Sequence, residues 1–276
     1  MKKKAVSHQW GDRMKVHLRH FTIHAKQYSI ITLRPGLKVQ WSSNYFHETW
    51  HILGTMRSAK ILARLMWGLS YQKIANTYVL IDSSYMFPNP FDAASSDPIL
   101  LGTSKPSKEL LIRLKKPLGA SQQTIRWHTF SLSNLIQNED LHNDFMNQYY
   151  LTFKRKQALV TTRMKGFLTI YGNPQLLRYE SFWIHRLHTA PSAEFYRTTD
   201  YHYIDDARSY PPQGEVQIFH DYRKRLADAK QAREEILASQ DPPTNPAELQ
   251  RAIQDRALQL YKARKVSNTK QLEPES

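Results

Sequence analysis

The 276-residue sequence contains no cysteine. That excludes disulfide scaffolds, thiol nucleophiles, iron–sulfur clusters and every cysteine-ligated zinc site, so a metal here must be held by His and carboxylates. Long apolar runs are missing as well. The most hydrophobic stretch, residues 61–69, is interrupted by Arg64 and falls far short of the ~18 residues a spanning helix needs. The basic start Met1-Lys2-Lys3-Lys4 is followed by Ser7-His8-Gln9-Trp10-Gly11-Asp12 rather than an apolar segment, so it does not read as a secretory signal. A soluble, cytoplasmic protein with no membrane partner is the expectation. No Gly-rich phosphate loop, nucleophile elbow or dinucleotide fingerprint occurs. Negative charge is scarce: 24 Asp+Glu against 39 Lys+Arg leave a net +15 at pH 7. Such an imbalance favours an anionic partner, nucleic acid among them.

What is present is enough apolar material for a core. The chain is 41% hydrophobic and 12% aromatic, which excludes a mainly disordered polymer. Residues 14–24 alternate as a strand does, and residues 28–33 and 37–41 follow as two more, together an antiparallel meander. Ser42, Ser43 and Asn44 are candidate caps for a helix over residues 45–53. Thr55 caps a second helix over 56–70, with Ile61, Leu62, Leu65, Met66 and Leu69 on one face. Residues 77–81 read as a buried strand. Residues 83–108 form a long Pro-rich connection, and 109–116 a short basic helix closed by Pro117. Residues 125–132 and 166–171 are further strands, 138–165 lean to helix, and 189–214 are irregular. A helical rhythm runs through 214–240. Asn245-Pro246-Ala247-Glu248 then opens a last helix as cap, first position and capping-box acid. These readings give an α+β body over 10–210, with a short mixed or antiparallel sheet, a helical hairpin over 211–268, and a disordered tail over 269–276.

One constellation carries chemistry: Phe46-His47-Glu48-Thr49-Trp50-His51-Ile52-Leu53-Gly54. On a helix, His47 and His51 stand one turn apart and share a face, so both imidazoles can bind one metal ion. Glu48 is then placed to take a proton from metal-bound water and return it. This resembles the HExxH motif of the zincin metallopeptidases. The resemblance implies Zn(2+) as cofactor, Glu48 as general base, and a protein or peptide substrate. It covers about nine residues. The metzincin branch would have a third His at position 57, where this chain has Arg57. The gluzincin branch uses a downstream carboxylate, for which Glu109 and Asp82 are the candidates.

The alternative reading is a non-catalytic basic protein that binds nucleic acid or another anionic partner. Its residues are Tyr149, Tyr150, Lys154, Arg155 and Lys156, where aromatics beside cations suit base stacking and phosphate neutralisation. Other imidazoles carry less. His17, His20 and His24 read as sheet-face residues, with His20 and His24 sharing a face. His202 with Asp205 and Asp206 reads as a turn, and His185 and His188 flank no chemical group.

Overall fold

The computed structural model describes residues 13–120, 123–129, 132–152, 159–187, 199–204 and 213–270. The chain begins with strands β1 (Arg13–Ile23), β2 (Lys26–Thr32), β3 (Trp41–Phe46) and β4 (Thr49–Gly54), then helix α1 (Met56–Leu69). Strands β5 (Thr77–Ile81) and β6 (Ile99–Gly102) follow, then α2 (Lys108–Leu114), β7 (Gln123–His128), α3 (Leu132–Gln137) and α4 (Glu139–Thr152). Next come β8 (Val160–Met164), β9 (Phe167–Tyr171), α5 (Pro174–Arg186), β10 (Thr199–Ile204) and β11 (Gly214–Phe219). Helices α6 (Tyr222–Leu237) and α7 (Pro246–Lys270) complete the described chain.

The fold is α+β, with two mixed sheets in place of the single one expected. The larger sheet has the order β7-β1-β2-β5-β6-β9-β8 and the smaller β10-β11-β4-β3. Helix α1 lies between them, and its sequence explains why. It starts cleanly, with the Thr55 hydroxyl accepting from the Ser58 N–H at 3.3 Å. Eleven of its residues are buried, including Leu62, Leu65 and Met66 at 0% exposure. A helix apolar on nearly every side must be covered on every side. It is met by Val79, Ile81 and Leu101 of the larger sheet, by Ile52, Val216 and Ile218 of the smaller, and by Leu177 and Ile184 of α5. Each large aliphatic side chain buried there contributes about 1.5–3 kcal/mol. The outer face of the larger sheet is covered in part by α2, through Leu110, Leu111 and Leu114 on Tyr28, Ile30 and Tyr78.

Helices α6 and α7 pack together as the expected hairpin, through Ala229, Ala232, Ile253 and Ala257. The pair sits on the smaller sheet, where Leu226 and Tyr222 meet Leu53 and Phe219. The Tyr222 hydroxyl donates to Ser42 Oγ at 2.8 Å. Asn245 caps α7 as its sequence predicts, its Oδ1 accepting from the Ala247 N–H at 2.9 Å.

Several expectations are corrected. Residues 45–53 are not a helix: β3 and β4 pair antiparallel, Phe46 opposite Thr49 and Asn44 opposite His51. Ser42, Ser43 and Asn44 lie in β3 and use their polar atoms toward the neighbouring layers, not as caps; Ser43 Oγ, for instance, accepts from the Asp97 N–H at 3.1 Å. The helical rhythm over 214–240 hides strand β11, so the hairpin begins at Tyr222. Residues 37–40 form no strand, and β6 lies inside the long connection. Residues 160–164, assigned to a helical stretch, are strand β8. Helix α7 runs through Lys270, into the expected tail, whose residues 271–276 lie outside the described residues.

Candidate active site

The hairpin turn decides the fate of the HExxH reading. His47 and Glu48 are its two central residues, with φ of 50° and 61°. Both lie in the left-handed region, as a type I′ turn between right-twisted strands requires. The spacing argument for a shared metal needs one helix face, and that face does not form. His47 and Glu48 are exposed at the turn, whereas His51 is half-buried on β4. The carboxylates offered as third ligand are elsewhere. Asp82 Oδ1 accepts from the Ser84 N–H at 2.9 Å and caps a 3-10 turn (Ser83–Tyr85) after β5. Glu109 is in the first turn of α2, where helix-terminal N–H groups and Ser107 hold its carboxyl below the usual range. Neither lines the cleft that His47 and His51 line. Among the described residues, no three His, Asp or Glu side chains group closely enough to hold a metal ion.

That cleft, of about 590 Å³, opens between the smaller sheet and the α6–α7 hairpin. Strand alternation builds its sheet wall. On β11, Val216 and Ile218 face α1, so Glu215 and Gln217 face the cleft. On β10, Ile204 joins the central core while Tyr201 and Tyr203 face the cleft. Parallel pairing of β11 with β4 sets Glu215 beside His51. Helices α6 and α7 supply the opposite wall, with Arg225, Asp228, Asp255 and Tyr261.

His51 and Glu215 stand together on the cleft wall. His51 Nε2 lies 3.1 Å from the Phe46 carbonyl oxygen, which can only accept, so Nε2 carries the proton in the neutral ring. Nδ1 is then a bare acceptor, and it stands 3.3 Å from Glu215 Oε2. Glu215 is 6% exposed, and burial pushes its carboxyl up to about 7. Burial also holds the His51 imidazole below its ordinary value, against the pull of the Phe46 carbonyl and with a small push from His47. Burial therefore disfavours the charged form of both groups. The two groups stand within 3.3 Å of each other, and Nδ1 has no hydrogen-bond partner among the described residues.

Across the cleft, Asp228 is 1% exposed and pairs with Arg264 through Oδ1. Its Oδ2 has no hydrogen-bond partner among the described residues. Burial raises this carboxyl too, although Arg264 and Arg225 pull it back. Arg225 is held by Asp221 at 2.8 Å and lies over the Phe219 and Tyr261 rings, 5.2 and 4.5 Å from their centroids. Three carboxyls against one guanidinium thus line a cleft in a chain of net charge +15. Phe46, Tyr201 and Leu258, each 41–50% exposed, give it an apolar margin.

The remaining sequence candidates are scattered. His17 Nδ1 meets Thr124 Oγ1 at 3.2 Å and His20 Nδ1 meets Ser29 Oγ at 3.1 Å, both on the larger sheet. His24 lies in the β1–β2 turn at φ 47°, not on the strand face. His202 Nε2 donates to Glu180 Oε2 at 2.5 Å, on the face opposite the cleft. Asp205, Asp206 and His188 lie outside the described residues, as do Lys154, Arg155 and Lys156. Tyr149 and Tyr150 belong to α4, and their side chains are outside the described set. Glu215 escaped the sequence reading because residues 214–219 also fit a helical rhythm. The alternation Glu215, Gln217, Phe219 against Val216, Ile218 was the signal that would have found it. No family model, curated protein or solved structure matches the chain.

Proposed function

We propose that this protein is a hydrolase that works by general acid–base catalysis in the cleft between the smaller sheet and the helical hairpin. Glu215 is the proton-transfer group and His51 its positioning partner. The supporting observation is the carboxyl of Glu215, buried on the cleft wall and half-protonated near pH 7. Burying an ionisable carboxyl costs stability, and such groups concentrate at functional sites. A group at this value is present in both forms at neutral pH. It can take a proton from water in one step and give one to a leaving group in the next. The role first assigned to Glu48 passes to a residue that faces a cavity of substrate size. The acidic lining favours a substrate that is neutral or positively charged at its bound end, with the apolar margin holding its remainder.

The test is turnover of chromogenic esters, anilides, glycosides and phosphate esters across pH 5–9. At least one class should be hydrolysed, with kcat/KM changing over a group near pH 7. Glu215→Gln should lower it by about 10²–10⁴. Turnover that survives Glu215→Gln, or no turnover of any class, overturns the proposal.

A further inference from the structure

The outer face of the larger sheet is divided. Helix α2 covers one half, including Phe21 and Ile23 of β1; among the described residues no helix packs on the half formed by edge strand β7, the Lys15–Arg19 part of β1 and the end of β2. Alternation assigns its side chains. Met14, Val16 and Leu18 of β1 face the central core, so Lys15, His17 and Arg19 face outward. Antiparallel pairing sets Arg126 beside Lys15 and Thr124 beside His17. Arg34, just beyond β2, belongs to the same cluster. Burial lowers the His17 imidazole first, and the like charges of Arg19 and Arg34 lower it further.

The balance of charge on this face is one-sided. Lys15, Arg34 and Arg126 are exposed. None of these three, nor Arg19, forms an ion pair among the described residues. Arg19 is fixed by Thr32 Oγ1 at 2.5 Å and by the Gly119 carbonyl at 3.3 Å, with Asp82 as its nearby carboxylate. Like charges held together on a rigid sheet repel, and their proper complement is an anion.

We propose that this half-sheet is a nucleic-acid-binding surface that grips the phosphate backbone of a duplex without reading its sequence. Outward residues on one strand repeat every two positions, about 7 Å. A duplex presents a continuous anionic track, about one charge per 1.7 Å of helix axis, which the outward cations of the Lys15–His17–Arg19 row can follow. Among the described side chains, the outward positions of β1 and β7 over this patch hold no exposed Phe, Tyr or Trp ring for base stacking and no exposed apolar side chain to enter a bilayer; the imidazole of His128 stands at its edge. Phosphate contact without base contact is positioning without specificity. The site is independent of the cleft, which lies beyond both sheets and α1.

The experiment is fluorescence anisotropy of the full chain on labelled 25-base-pair DNA duplexes of two unrelated sequences, from 50 to 200 mM salt. Neutralising four phosphates through Lys15, Arg19, Arg34 and Arg126 predicts a log–log salt slope of about −3.6 and a loss of affinity of about 150-fold across that range. The two duplexes should bind alike. The triple variant Lys15→Gln, Arg34→Gln, Arg126→Gln changes only exposed side chains and should bring the slope to about −1. A control triple on α6, Arg223→Gln, Lys224→Gln, Lys230→Gln, removes the same charge from another exposed surface and should leave the slope unchanged. No binding at 50 mM salt, equal losses in the two triples, or binding to phosphatidylserine vesicles in place of DNA would overturn the assignment.

Discussion

Ionising Glu215 in the folded chain is uphill, and the consequence is measurable without knowing a substrate. Its carboxyl titrates near 4.5 when unfolded and is pushed up to about 7 by burial. Between these values the folded chain keeps a proton that the unfolded chain has lost, so stability falls as pH rises. Across the window the loss amounts to about 3 kcal/mol. His185 acts with the opposite sign. It is 9% exposed, and neither ring nitrogen has a hydrogen-bond partner among the described residues. Burial, helped by Arg64 and Lys60, lowers it from 6.5 to about 4. Between those values the unfolded chain binds a proton that the folded chain refuses, so stability rises with pH, again by about 3 kcal/mol. The two slopes cancel between about pH 4.5 and 6.5. Variants separate them. Urea unfolding of Glu215→Gln, taken as a difference from the parent chain, should gain about 3 kcal/mol between pH 4.5 and 7 and then level off. His185→Gln should gain on the parent as pH falls from 6.5 to 4. The difference removes every other titrating group. A flat Glu215→Gln difference would mean that the carboxyl is not held uncharged by burial, and the acid–base assignment would lose its basis.

Gly68→Ala places a Cβ on the Trp127 indole nitrogen, where overpacking should cost about 1–3 kcal/mol by chemical denaturation; an unchanged midpoint would refute the close approach of α1 to β7. Glu48→Gly relieves a left-handed residue at φ 61° and should stabilise the chain by about 1 kcal/mol, whereas a helical HExxH segment would be destabilised by the same change. For zinc, the hairpin geometry predicts no stoichiometric retention by the purified chain; one zinc per chain, lost in His51→Ala, would restore the metal reading.

Legibility in the sequence followed how many independent signals agreed. Helix α1 was readable because the Thr55 cap and a three–four apolar rhythm point the same way, and its ends fall at Met56 and Leu69. Strand β5 was readable because five buried residues in a row, several β-branched or aromatic, suit no exposed helix. Helix α7 was readable from the Asn245-Pro246 start. The β3–β4 hairpin was not, because its turn residues, His47 and Glu48, are neither Asn nor Gly, and the Ser-Ser-Asn run before it mimics a cap. Tertiary context overrode local preference there: Ile52 fills the core against α1 while Leu53 packs on the hairpin side. A strand satisfies both faces at once, which one helix of nine residues would not. Strand β11 was masked for a related reason. Its residues Val216 and Phe219 also sit three apart, so a helical rhythm ran straight through it into α6.

The two surfaces proposed here have opposite character, and the layering explains how one chain sustains both. From outside inward, the basic half-sheet backs onto the central core, then come α1 and α5, then the smaller sheet, and only beyond it the acidic cleft. At physiological ionic strength, exposed charges more than ~8 Å apart are largely screened, and two sheets with a helix layer between them exceed that distance. The cations of β1 and β7 therefore do not pull Glu215 back toward an ordinary carboxylate. Had Glu215 projected from the larger sheet beside Arg19, its charge would have been stabilised and its proton lost well below neutrality. Its place on β11, under a helical hairpin and beside a neutral imidazole, is what keeps a proton available in a protein whose net charge disfavours one.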